Sequence, residues 1–176
     1  MDPRFKFNED EENYDKHRPT YVKELYQDII NYSGICKDSV VLEIGIGTGQ
    51  ATLPFLETGC NITAVELGDK LVAYSRKKFS NYHNIEIINA DFTESIWNDN
   101  SYDLVFSATA FHWIPQKQGY NMVKSILKSK GTIALFWNHP FPNRLDDETN
   151  IVNRRVYNKY RPSSKPIVEF TEEDCQ

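Results

Sequence analysis

The sequence predicts an α/β fold: a doubly wound sheet of five parallel strands with helices on both faces. Three observations predict it. Short runs of β-branched residues and leucine recur along the chain, segments with helical apolar spacing separate them, and a glycine-rich turn joins the first run to the helix that follows.

Val22, Leu25, Tyr26, Ile29 and Ile30 recur at helical spacing, so a leading helix is expected over Tyr21–Tyr32, with Thr20 available as its cap after Pro19. Ser39–Ile44 is a nearly continuous apolar run, which suits a strand buried on both faces of a parallel sheet. A glycine loop follows, then a helix through Leu53-Pro54-Phe55-Leu56. Pro54 fits only if that helix starts near Gln50, because the first turn has no use for the missing N–H. After Gly59 comes a second strand, Asn61–Val65, and a helix over Asp69–Phe79.

Ile85–Ala90 reads as the third strand, followed by a short helix or turn, and Tyr102–Ser107 as the fourth. An amphipathic helix over Pro115–Leu127 should stop at Lys130-Gly131, and Thr132–Trp137 is the fifth strand. Right-handed crossovers then give a Rossmann-like sheet in the order 3-2-1-4-5, with a ligand crevice beyond the strand C-termini, after Ile44, Val65, Ala90 and Ser107. Residues 1–33 are an arm and leading helix, 34–140 the cofactor-binding core, and 141–176 an abbreviated tail. That tail holds a polar helix candidate, Asp146–Tyr160, and one further strand candidate, Ile167–Phe170.

The bulk properties exclude several classes. The 176 residues carry a net charge of −5, with basic clusters such as Arg76-Lys77-Lys78 inside helical patterns, so a nucleic-acid partner is not expected. No apolar run nears the ~20 residues of a membrane span, and the charged amino terminus lacks a secretory stretch, which predicts a cytoplasmic protein without membrane attachment. Cys36, Cys60 and Cys175 are far apart, suggesting neither disulfides nor a metal site.

The chemistry concentrates at the strand ends. Gly45, Gly47 and Gly49 lie between a strand and a helix, where a missing Cβ lets the backbone turn sharply and touch a ligand. A nicotinamide site would place its third glycine at position 50, which is Gln50. Glu66 follows the second strand, where a carboxylate can accept hydrogen bonds from both hydroxyls of a ribose. Asp91 could serve an adenine or simply cap the following turn.

Val41-Leu42-Glu43-Ile44-Gly45-Ile46-Gly47-Thr48-Gly49 resembles motif I of the class I S-adenosylmethionine-dependent methyltransferases. Ala108-Thr109-Ala110-Phe111-His112-Trp113 resembles the Ala-x-x-x-His-Trp segment of the trans-aconitate methyltransferase-like enzymes, and Tyr14-Asp15-Lys16-His17-Arg18-Pro19 their Tyr-x-x-x-Arg-Pro arm. The resemblance covers roughly residues 14 to 140. It implies that the cofactor is S-adenosylmethionine. Gly45, Gly47 and Gly49 would approach its methionine and ribose parts, with Glu43 holding the loop and the amino group. Glu66 and Leu67 would take the ribose, and Asp91 and Phe92 the adenine. Ser107, Ala108 and Thr109 would let cofactor and acceptor reach the strand end, Arg18 would pair with the methionine carboxylate, Tyr14 would be a lid contact, and His112 and Trp113 would lie near the cofactor or the substrate mouth. His112 is the candidate general base, needed only if the small-molecule acceptor is a hydroxyl, amine or carbon rather than a carboxylate. In the family, further strands complete a seven-stranded sheet. Their shortage here would leave strand 5 as an edge open to homodimer pairing, and admits two alternatives: a cofactor-binding but catalytically silent fragment, and a nicotinamide-type oxidoreductase.

Overall fold

The computed structural model describes residues 11–138 and 148–160. The chain divides into two compact units, Met1–Asn138 and His139–Gln176. In the first unit the order is α1 (Glu11–His17), α2 (Lys23–Ser33), β1 (Val40–Ile44), α3 (Thr52–Leu56), β2 (Asn61–Glu66), α4 (Asp69–Lys78), β3 (Ile85–Asn89), β4 (Tyr102–Ala108), a 3-10 turn at Phe111–Trp113, α5 (Gln116–Ile126) and β5 (Leu127–Phe136). The second unit contains α6 (Glu148–Tyr160), which starts two residues inside the expected polar helix. The expected strand at Ile167–Phe170 and the thiol of Cys175 fall outside the described residues.

All five strands are parallel, in the order β3-β2-β1-β4-β5, as expected. Successive residues of β1 point to opposite faces, and each face has its own core. Val41 packs with Ile62, Ala64, Leu104, Phe106 and Phe55 on one side. Leu42 and Ile44 pack with Val65, Val105, Phe92, Val123 and Ile126 on the other. β1 and β4 are buried on both faces because sheet neighbours and helices cover them, which is why their sequences lack a polar alternation. Among the described residues β3 and β5 end the sheet, and they are less buried. The expectation of pairing with a second copy rests on β5 being such an edge.

Most element ends differ from the sequence reading by a residue, and a few differ by more. α2 starts at Lys23, with Val22 in extended backbone as its N-cap and no side-chain cap, so Thr20 does not cap it. Tyr21 is left outside the helix because its hydroxyl is engaged with Thr109 across the fold, at 2.6 Å. α5 stops at Ile126, and Leu127 already pairs with Tyr102 while Lys128 reaches Asp103 at 2.7 Å. β5 therefore begins before Gly131, and the extra residues are taken up by a register shift opposite Tyr102 and Leu104. α1, expected only as part of an arm, is a two-turn helix with no buried residue, so it carries no apolar periodicity to detect. Pro54 is the third residue of α3, inside its first turn, as its chemistry requires.

Candidate functional site

A cavity of about 330 Å³ opens beyond the C-terminal ends of the strands, where a doubly wound sheet binds its ligands. Tyr14, Arg18, Glu43, Gly45, Gly47, Glu66, Leu67, Asp91, Phe92, Ala108, Thr109, His112 and Trp113 all line it. Gly49 and Ser107 do not.

The glycine loop is built by its own backbone. Gly45 N–H donates to Val65 O at 2.8 Å, fastening the loop to β2, and a Cβ there would collide with Ala110. Gly47 is different: its φ is +57°, and the nearest atoms to a Cβ would be Tyr14 Cε1 at 3.7 Å and Gln50 Oε1 at 3.9 Å. The space over Gly47 is thus open to a ligand. Gly49, also at positive φ, faces the Phe79 ring, and its N–H closes the loop on Ile46 O at 2.8 Å. It shapes the loop from behind the cavity wall.

Glu66 ties the loop to the end of β2. One carboxylate oxygen accepts the Gly47 N–H at 2.9 Å and the other the Gly68 N–H at 3.0 Å. Each oxygen keeps a second lone pair for a ligand hydroxyl. Glu43 is 1% exposed and accepts one hydrogen bond, from Thr52 Oγ1 at 2.8 Å. Burial pushes its pKa up to about 8, the Thr52 hydrogen bond opposing and the nearby Glu66 charge adding to the rise. It is a neutral carboxyl at the wall of the cavity, with one oxygen left without a partner among the described residues.

At the end of β3, Asp91 Oδ1 accepts the Thr93 N–H at 2.8 Å and its hydroxyl at 2.7 Å, so the capping role is realised in a turn while the residue also lines the cavity. Phe92 is buried under Trp97, whose indole N–H donates to Phe92 O at 2.9 Å. At the end of β4, Ser107 is fully buried and its hydroxyl donates to Ile44 O at 2.7 Å. It stitches β4 to β1, and by strand alternation Ala108 faces the other way and lines the cavity. Thr109 holds φ +57°, costly for a β-branched residue. Its N–H donates to Phe136 O at 2.9 Å, and its hydroxyl meets Tyr21.

His112 and Trp113 sit on the 3-10 turn, their rings 4.9 Å apart. His112 Nδ1 accepts the indole N–H of Trp137 at 3.3 Å. Burial, and next the charge of Arg18, hold the His112 pKa below its ordinary value. α1 closes the remaining side. Arg18 lies over the Tyr14 ring at 5.4 Å, and Asp15 ties α1 to α4 through Tyr74 at 2.9 Å and Lys78 at 2.8 Å. Lys78 also donates to Thr48 O at 2.8 Å, and Gln50 donates to Thr48 Oγ1, so helix and glycine loop share one set of polar contacts.

Sequence reasoning did not find Asp15, Tyr21, Lys78 or Trp137. Trp137 had a usable signal: it ends the expected fifth strand, and a parallel sheet has its ligand crevice beyond the strand C-termini. The others act through contacts between residues far apart in sequence, such as Tyr21 with Thr109.

A model of the methyltransferase domain family matches residues 42–135, more than half of the chain. The chain belongs to this family. An uncharacterised methyltransferase-like protein of Schizosaccharomyces pombe is 29% identical over 93% of this chain and 62% of its own length. A "probable S-adenosylmethionine-dependent methyltransferase" of Saccharomyces cerevisiae is 30% identical over 84% of this chain and 50% of its own. The chain thus spans between half and two thirds of the length of these relatives. A solved S-adenosylmethionine-dependent methyltransferase of Aquifex aeolicus has the same fold, with a TM-score of 0.60 at 21% identity, covering 72% of this chain and 71% of its own. S-adenosylmethionine is the cofactor of this family. The residues fit it: an open glycine where a ligand can lie on the backbone, a carboxylate at the end of β2, and a buried carboxyl oxygen with no partner among the described residues.

Proposed function

We propose that this chain is the cofactor-binding part of a methyltransferase that acts on a small-molecule acceptor. The observation that carries the reading is the open Gly47 backbone beside Glu66, both lining a cavity of about 330 Å³. Glu66 and Leu67 would hold the ribose and Asp91 with Phe92 the adenine end. Tyr14, Arg18 and the free oxygen of Glu43 would hold the amino-acid end. When bound, the cofactor supplies a methyl group already activated by its positive sulfur.

The chain's task is then alignment and exclusion of water, and proximity supplies much of the rate. Pro19, Trp113 and Ile114 give part of the cavity an apolar lining, which suits a small acceptor; the resemblance to the trans-aconitate group points the same way. The net charge of −5 disfavours a nucleic-acid acceptor.

Binding and turnover are tested apart. Calorimetric titration with S-adenosylhomocysteine reads the first, and transfer of labelled methyl from S-adenosylmethionine to a panel of carboxylic acids, phenols and amines reads the second. Labelled small-molecule product is the expected result. Label found only in added RNA or DNA would overturn the acceptor class, and binding without any labelled product would identify a catalytically silent chain.

A further inference from the structure

The glycine loop is the part of the cavity wall that its own sequence constrains least. Gly45, Gly47 and Gly49 stand at φ +75°, +57° and +78°, and a residue without a Cβ visits either hand of the backbone about equally. A loop that lays its backbone against a ligand therefore needs partners outside itself. Gly45 N–H is held by Val65 O and Gly49 N–H by Ile46 O, both at 2.8 Å. Gly47, which has the open space beside it, is held by two side chains. Glu66 accepts its N–H at 2.9 Å, and Ser75 Oγ donates to its carbonyl at 2.6 Å.

Ser75 is fully buried in the interior of α4, 28 residues from Gly47. A serine inside a helix ordinarily turns its hydroxyl back to the carbonyl one turn earlier or out to water. Here the hydroxyl leaves the helix for the loop. One turn further along α4, Lys78 Nζ donates to the carbonyl of the next loop residue, Thr48, at 2.8 Å. The ring of Phe79 stands where a Cβ on Gly49 would be. Gly47, Thr48 and Gly49 thus rest on Ser75, Lys78 and Phe79 in the same order, which sets helix and loop in one register. Neither Ser75 nor Lys78 lines the cavity, so whatever they do for a ligand they do through the loop. Lys78 also pairs with Asp15 of α1 at 2.8 Å, so loop and arm share one cation.

We propose that Ser75 and Lys78 are positioning residues for cofactor binding. From α4 they hold the carbonyls of Gly47 and Thr48, and so keep the Gly47 backbone in the left-handed form that leaves ligand space beside Glu66. This rests on the methyltransferase reading and adds to its site two residues behind the wall. Ser75 contributes more, because its loss leaves a carbonyl without its buried partner. Lys78 is partly exposed, and its contribution is smaller.

The test uses the whole chain with S-adenosylhomocysteine as the probe. Absence of binding by the parent would overturn the cofactor reading itself, whereas the roles of Ser75 and Lys78 are judged on hydrogen exchange in the free chain and on affinities relative to a parent that binds. In Ser75→Ala the Gly47 N–H should exchange at least about tenfold faster, with the Gly45 N–H unchanged, and the dissociation constant should rise about tenfold. Ser75→Thr, which keeps the hydroxyl, should bind better than Ser75→Ala. Lys78→Met loses both Thr48 O and Asp15 without touching the core. It should weaken binding at least about threefold more than Asp15→Ala, which loses only the arm. Thermal melts establish that each variant is folded at the titration temperature. Parent-like affinity or parent-like Gly47 exchange in Ser75→Ala, or a Ser75→Thr chain that binds no better than Ser75→Ala, would overturn the role of Ser75. Equal affinities in Lys78→Met and Asp15→Ala would overturn that of Lys78.

Discussion

Replacing Glu43 with Gln should make the protein more stable at alkaline pH and bind its cofactor less well. Glu43 is buried, with Thr52 as its hydrogen-bond donor. Its pKa rises from the ordinary 4.5 to about 8 on folding, first through burial and then through the Glu66 charge. Between those values the folded state binds a proton that the unfolded state has lost, so stability falls as pH rises. At about 1.4 kcal/mol per pH unit the full span corresponds to about 5 kcal/mol, present below pH 4.5 and gone near pH 8. Gln removes the titration at nearly constant volume. Its amide N–H groups gain no certain acceptor, a cost of about 1–3 kcal/mol. The net expectation is a variant about 2–3 kcal/mol more stable than the parent at pH 8 and less stable at pH 5. Urea unfolding at both pH values measures it. Stability curves for parent and variant that stay parallel with pH would refute a buried, neutral Glu43.

If the free oxygen of Glu43 receives the cofactor ammonium, binding should favour its ionised form and release a proton. Heats of S-adenosylhomocysteine binding at pH 7 should then vary with the ionisation enthalpy of the buffer, and cease to vary in Glu43→Gln. Gly47→Val places a branched side chain in the open space and strains a left-handed backbone; S-adenosylhomocysteine affinity should fall at least about 100-fold while the far-ultraviolet spectrum persists, and unchanged affinity would remove Gly47 from the site. Ser107→Ala leaves Ile44 O without its side-chain partner, so thermal melts should show a loss of about 1–2 kcal/mol, with cofactor affinity within twofold of the parent. Asp15→Ala frees α1 from Tyr74 and Lys78, and because the pair is partly exposed the stability cost should be under about 1 kcal/mol; a faster S-adenosylhomocysteine dissociation rate, read by stopped flow, is the larger expected effect.

The strands and their order were legible because burial on both faces forces a short apolar run. The Val41-Leu42 pair feeds two separate cores and admits no polar alternation. The positions of Glu66, Asp91 and Ala108 followed from the same source, since a parallel sheet aims its strand ends at one crevice. Ser107 and Gly49 show the limit of that reasoning: spacing places a residue at the loop, but only packing decides which side it faces. The fifth strand extends beyond its apolar run because Leu127 and Lys128 are held by Tyr102 and Asp103, contacts that no local pattern announces. The strain at Thr109 and the pairing of Trp137 with His112 are likewise tertiary, and α1 buries nothing that a periodicity could reveal.

The central claim is that the cavity over Gly47 takes S-adenosylmethionine, and parallel calorimetric titrations with S-adenosylmethionine, S-adenosylhomocysteine and NADH test it most directly. Saturable one-to-one binding of both sulfur ligands, lost in Gly47→Val, with no heat from NADH, is the predicted result. Saturable binding of NADH with no response to either sulfur ligand would contradict it.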